Sequence, residues 1–201
     1  MDTNALFKIG YGLYVLTTNY ENKDNGCIIN TVMQISDSPL RISVTVNKLN
    51  LTHDMIKDSC VFNISCLTVD TPFEIFERFG YHSGRDTDKF NDFDNLVRTA
   101  NNVLCVPQYS NAIISCRVVK SIDFDTHTMF IAEVVDSKVL SDKESVTYQC
   151  YQDKIKPKPE KTKKKGWRCK ICGWVYEGEE LPADIICPIC KHGAIDFVPL
   201  E

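Results

Sequence analysis

The stretch WRCKICGWVYEGEELPADIICPIC, Trp167 to Cys190, carries two Cys-x-x-Cys pairs, Cys169/Cys172 and Cys187/Cys190, with fourteen residues between them. No other feature of the chain restricts its fold so tightly. A Cys-x-x-Cys turn lets two sulfurs reach one ion. Gly173, just after the first pair, suits a positive φ that leaves backbone N–H groups facing the sulfurs. Two such turns make a tetrahedral four-sulfur site. That geometry suits zinc or iron, and the spacing alone does not separate them. A unit this small needs its metal to fold in either case.

The segment before it, DKIKPKPEKTKKKG from Asp153 to Gly166, has seven Lys against two acidic residues, and Ile155 is its one large apolar side chain. Nothing there buries enough surface to offset the entropy of ordering it. The Lys-Pro steps favour a locally extended tether. Its charge either keeps the linker solvated or steers an acidic partner protein. The chain therefore divides into a domain of residues 1–152, a linker of residues 153–166 and a small metal domain of residues 167–201.

Bulk properties exclude several classes. The 201 residues are 43% hydrophobic, enough for an ordinary packed core. The formal charge of −4 gives no electrostatic footprint for nucleic acid. No run approaches the roughly 18 apolar residues of a membrane span. Met1 to Gly10 has no basic region before an apolar run, so a secretory signal is not expected. Besides the two pairs there are six scattered cysteines: Cys27, Cys60, Cys66, Cys105, Cys116 and Cys150. Five of these sit in or beside apolar runs, where free Cys behaves as a small hydrophobe. The pattern fits a reducing cytosol rather than a disulfide framework, and a cytoplasmic protein is expected.

The first domain reads mostly as strands: Tyr11–Thr18, Gly26–Val32, Arg41–Val46, Val61–Leu67, Asn111–Phe124 and Thr126–Leu140. ENKDNG, Glu21–Gly26, is a turn signal between the first two. Helices are predicted at His53–Asp58, capped by Thr52, and at Pro72–Phe79, after Thr71. Many strands and few helices suggest a closed barrel. In SVTVNKLNLTHDMIKDS, Ser43–Ser59, a strand leads through polar residues to a helix start. The free N–H groups there, with Lys48 and the Thr52 hydroxyl, suit a phosphate. The alternative is a simple Thr cap and a surface Lys. Asn30, Thr31, Gln34 and Ser36 interrupt an apolar region, and buried polar side chains need partners. Those partners are each other or a polar ring edge.

The residues around the four cysteines resemble the rubredoxin domain at the C-terminus of rubrerythrins. The matching pieces are Trp167, Cys172–Gly173, Tyr176, Glu177–Gly178, Pro182, the Cys-Pro-x-Cys knuckle and Phe197. Lys191 departs from the pattern, since rubredoxins usually have Gly after the last Cys. This resemblance implies iron held by Cys169, Cys172, Cys187 and Cys190. The alternative is a zinc ribbon whose mini-core is Trp167, Trp174 and Phe197.

Residues 1–150 resemble the flavin reductase-like family. The resemblance rests on KIGYGLYVLTT (Lys8–Thr18), NGCIINTVMQIS (Asn25–Ser36), PLRISVTVNKLNLTHDMI (Pro39–Ile56), FGYHSGRDTDKF (Phe79–Phe90) and THTMFIAEVVD (Thr126–Asp136). It implies a mainly β fold: an FMN-binding split β-barrel with a few flanking helices, in a homodimer. It also implies roles. Asn30, Thr31 and Gln34 would face the flavin ring, and Asn47, Lys48, Asn50 and Thr52 would hold the ribityl-phosphate end. Lys89 and Phe90 would close over the site, and His127 would lie near a nicotinamide, or else be a strand-end His bonded to a backbone carbonyl. Asp125 and Ala132 stand where members often carry Gly, and Asp125 would repel a dinucleotide phosphate.

The combination resembles the high-molecular-weight rubredoxins of anaerobes, which pass electrons from NADH through FMN and iron to a flavodiiron protein. NADH gives two electrons as hydride, a single iron takes one, and a flavin handles both. Iron on a flavin domain completes that circuit, whereas zinc has no redox use there. Two other readings stand beside it: a shuttle reduced by another protein carrier without NADH, and a non-redox FMN-binding protein with a structural zinc ribbon.

Overall fold

The computed structural model describes residues 2–158 and 166–200. Most of the Lys-rich run, residues 159–165, lies outside the described residues.

Strands β1 (Tyr14–Tyr20), β2 (Lys23–Ile29), β3 (Met33–Asp37), β4 (Leu40–Asn47) and β5 (Val61–Leu67) come first. A short pair follows, β6 (Val97–Arg98) and β7 (Leu104–Cys105), and then the long strands β8 (Ser110–Phe124) and β9 (His127–Val139). The main sheet runs β2-β1-β5-β8-β9-β4-β3, with every described pairing antiparallel. Its two ends, β2 and β3, are not hydrogen-bonded to each other. The closed barrel expected from strand content is thus a split one.

The β-branched content explains the strands, and burial explains their curl. Along β1, Val15 and Leu16 are both fully buried. Alternate residues of a strand face opposite sides. Leu16 accordingly points into the barrel with Ile29, Val44, Phe62 and Phe130, while Val15 packs outward with Phe76 and Phe79. Phe76 and Phe79 belong to helix α2, Phe73–Gly80, whose buried positions Ile75, Phe76 and Phe79 form one apolar face. Tyr148–Cys150 and the π-helical turn Tyr151–Ile155 lie on the same outer cluster through Tyr151. Helical structure therefore reaches past residue 152, and the expected linker starts later than Asp153.

Three local expectations are corrected. The turn between β1 and β2 is only Glu21-Asn22, at φ 49° and 60°. Two left-handed residues make the tight hairpin that matches strand twist. Asn25-Gly26 lies inside β2, where a Cβ on Gly26 would stand 3.0 Å from the Leu16 carbonyl oxygen. Helix α1 spans Leu51–Ser59 with Asn50 as its N-cap, so Thr52 sits in the first turn rather than capping it. The Thr52 hydroxyl is taken up by the Asn25 amide, which donates to it at 3.1 Å. Helix α2 begins after Pro72, and Thr71 donates instead to the Tyr109 carbonyl.

Candidate functional site

The metal domain is built on a small sheet of β10 (Trp167–Cys169), β11 (Val175–Tyr176) and β12 (Phe197–Pro199), ordered β11-β10-β12. Each Cys-x-x-Cys pair closes in the same way. Gly173 N–H donates to the Cys169 carbonyl and Lys191 N–H to the Cys187 carbonyl, each at 2.9 Å. The two donors also share a backbone conformation, with Gly173 at φ 85° and Lys191 at φ 62°. Lys191 thus adopts the left-handed turn without the residue that adopts it most cheaply, at a cost of about 1 kcal/mol. Lys191→Gly is expected to raise the stability of the metal domain by roughly 0.5–1 kcal/mol, read from the thermal loss of its visible bands.

The four sulfurs lie within 4.8 Å of one another, with Cys169 to Cys190 at 3.5 Å and Cys172 to Cys187 at 3.4 Å. A tetrahedral site with metal–sulfur bonds of about 2.3 Å needs edges of about 3.8 Å. Backbone hydrogen bonding from Cys172 and Ile171 favours the thiolate form of Cys169, that from Trp174 the thiolate of Cys172 and that from His192 the thiolate of Cys190. Without an ion the thiols cannot all ionise. Contact with their neighbours favours the Cys169 thiolate and holds Cys190 and Cys172 protonated, Cys172 up to about 12. A bound cation removes that conflict, so the donor set fits a metal. Trp174 meets Phe197 edge-on at 6.1 Å, and with Trp167 and Tyr176 these rings pack around the ligands.

A polar groove lies beside this centre. It is lined by Asn25 and Cys27 from β2, Asn50 and Thr52 at the start of α1, and Lys89. Ile189, Cys190 and Lys191 of the second knuckle line it as well. Asn50, Thr52 and Lys89 are thus brought together. Lys89 is buried, with its ammonium donating to the carbonyls of Gly26 at 2.8 Å and Phe79 at 3.2 Å. Burial lowers its pKa, against the nearby Cys27 thiol, which is itself pushed up by burial.

The other expected residues lie elsewhere. Lys48 pairs with Asp123 at 2.7 Å and does not line the groove. The Asn47 side chain accepts from Leu49 N–H. The Thr31 hydroxyl donates to the Thr45 carbonyl and accepts its N–H, so it bonds backbone rather than its polar neighbours. Asn30 follows β2, and Gln34 is exposed on β3. Phe90 packs on Phe79, 5.5 Å between ring centroids. His127 starts β9 opposite Asn47, and its ring bonds the Thr126 hydroxyl at 2.8 Å rather than a carbonyl. Burial, and then His192 and His53, lower the His127 pKa.

Asn25, Cys27 and Gly84 were not expected at the groove. A Cβ on Gly84 would stand 2.3 Å from the Asn25 side-chain oxygen, so the closeness of that loop requires glycine. The Asn-Gly dipeptide reads as a turn in sequence and hides this buried Asn. His53 was missed too. It is buried, bonded to Thr128 and Asp54, and Asp54 takes Arg85 at 2.6 Å.

Residues 6–157 match the family described as Flavin reductase like domain. The chain belongs to the flavin reductase-like family. Its residues 167–198 match the rubredoxin-like domain of rubrerythrin, so this family member carries a C-terminal rubredoxin-like domain. It is 39% identical to a ferric-chelate reductase (NAD(P)H) of Archaeoglobus fulgidus, over 81% of this chain and 95% of that one. It is 33% identical to a high molecular weight rubredoxin of Moorella thermoacetica, over 98% of this chain and 99% of the other. The fold matches that of a Streptomyces globisporus NADH:FAD oxidoreductase with a TM-score of 0.65 at 19% identity, over 71% of this chain and 84% of that one. As a flavin reductase-like protein with a four-thiolate centre, it is an oxidoreductase of flavin-linked electron transfer. No helix among the described residues is long and apolar enough to cross a membrane.

Proposed function

We propose that the protein passes electrons from NAD(P)H, with NADH as the donor, through FMN to an iron held by Cys169, Cys172, Cys187 and Cys190. A flavodiiron protein is the proposed acceptor. One observation carries this reading: Cys190 lines the same groove as Asn50, Thr52 and Lys89. A metal ligand therefore stands at the edge of the surface assigned to the flavin phosphate. When bound, FMN accepts the two electrons of a hydride and releases them singly.

This chain's residues supply binding and orientation. Asn50 and the free N–H groups of α1 offer donors to one phosphate, and the helix dipole adds to them. Thr52 is held in place by Asn25. Lys48 joins the phosphate only by leaving Asp123, an exposed pair of the kind worth about 0–1 kcal/mol. Asn30, Thr31 and Gln34 are proposed along the ring, Phe90 over it, and His127 beside the nicotinamide. A homodimer is part of the proposal. Met33, Ile35 and Leu40 leave 66%, 46% and 41% of their surface exposed on β3 and the start of β4, a patch that suits a second copy.

The test is anaerobic stopped-flow mixing with NADH. The flavin band is expected to bleach first and the iron–thiolate bands to follow, with one iron per chain by metal analysis. A flavin that NADH does not reduce, but a reduced protein carrier does, would leave a shuttle. Zinc in protein made with ample iron would exclude the iron step.

A further inference from the structure

We propose a second binding site, for a small planar aromatic anion that takes one electron from the metal centre. It is a cavity of about 600 Å³ between α2, the segment after Tyr151 and the first metal knuckle. That volume lies in the range of small-molecule sites, about 300–1,000 Å³.

The lining sets the ligand's chemistry. Lys156, Lys158, Arg168 and Lys170 face the cavity, and Glu77 is the one acid among the described residues that do. Four cations outweigh the one carboxylate together with the negative four-thiolate centre, and the positive balance suits an anion. Phe73, Tyr81 and Trp174 supply ring surfaces, so the anion is planar and aromatic. Lys156 also donates its ammonium to the Ile171 carbonyl at 2.5 Å, which ties the body of the protein to the first knuckle.

Position sets its role. Cys169 and Cys172 line this cavity, whereas Cys190 lines the polar groove. The metal centre therefore presents different ligands to two openings. An electron arriving on the groove side can leave on the cavity side without movement of the metal domain. In that step iron(II) becomes iron(III) and the ligand gains one electron and one negative charge. No bond breaks and no proton is required. The four cations favour the more negative, reduced ligand. The electron step rests on the iron reading above; the binding site does not.

The probe is anthraquinone-2,6-disulfonate, a planar dianion, added to full-length protein loaded either with iron or with zinc. Binding is read by quenching of tryptophan fluorescence. Both forms are expected to bind one equivalent saturably, more weakly as salt rises. Lys158→Ala/Lys170→Ala should weaken binding about tenfold through loss of two nearby charges, with flavin content and melting unchanged. Reduced iron-loaded protein should reduce the probe in a single turnover, and the concentration giving half the maximal rate should rise by the same factor. Absence of saturable binding to both forms, or binding unchanged in the double variant, overturns the site. Saturable binding without reduction by the iron form overturns the electron step alone. A natural zinc content would defeat the iron reading and leave the binding result standing.

Discussion

Cys172→Ala protein is expected to lose its metal and the order of residues 167–198 while its flavin domain stays folded and keeps its flavin. Three thiols cannot close a four-sulfur site, and the remaining core of the small domain is a few rings around the ligands. Metal binding in such a unit is folding free energy, about 10–16 kcal/mol for structural zinc in small peptides. The larger domain has its own two cores, one inside the barrel and one under α2, and neither contains a metal ligand. Metal analysis, the visible spectrum and limited proteolysis together read the result. Metal retained at one per chain would show that the four sulfurs are not its ligand set. Simultaneous loss of flavin would show that the two domains fold as one unit.

Lys89→Met is expected to destabilise the flavin-free protein by about 3 kcal/mol in urea denaturation. The Lys89 ammonium caps two carbonyls inside the protein, those of Gly26 and Phe79. These join β2 to the end of α2, beside the groove. Methionine keeps much of the volume but leaves both acceptors without their charged donor, and a hydrogen bond to a charged group is worth roughly 1.5–3 kcal/mol. The family resemblance gives Lys89 a different task, closing over the flavin. The two roles separate cleanly. If Lys89 serves the flavin alone, the flavin-free variant keeps its stability and only flavin affinity falls.

Legibility in the sequence followed the range of the interaction. The metal ligands were readable because each knuckle is closed by residues four apart, as in Gly173 to Cys169 and Lys191 to Cys187. Six of the seven strands of the main sheet were readable because apolar and β-branched runs mark them locally, and Val61–Leu67 has the expected bounds, whereas the exposed β3, Met33–Asp37, was not expected. Asn25-Gly26 misled because an Asn-Gly pair favours a turn in isolation. In the folded chain, pairing of β2 with β1 and the Thr52 hydroxyl hold it in a strand. Thr52 misled for the same reason: a hydroxyl that would cap its own helix found a partner twenty-seven positions away.

By itself the sequence determined the four-thiolate centre and the mainly β body, because spacing and periodicity act over a few residues. Tertiary structure alone decided which polar residues share a groove. The pairing of Lys48 with Asp123, 75 positions away on the β8–β9 hairpin, is likewise a product of the fold. Cys190 came to the groove of Asn50, Thr52 and Lys89 through the packing of two domains, and Cys169 and Cys172 came to the cationic cavity in the same way. Such long-range placements depend on strand register and domain contact, which no local pattern encodes.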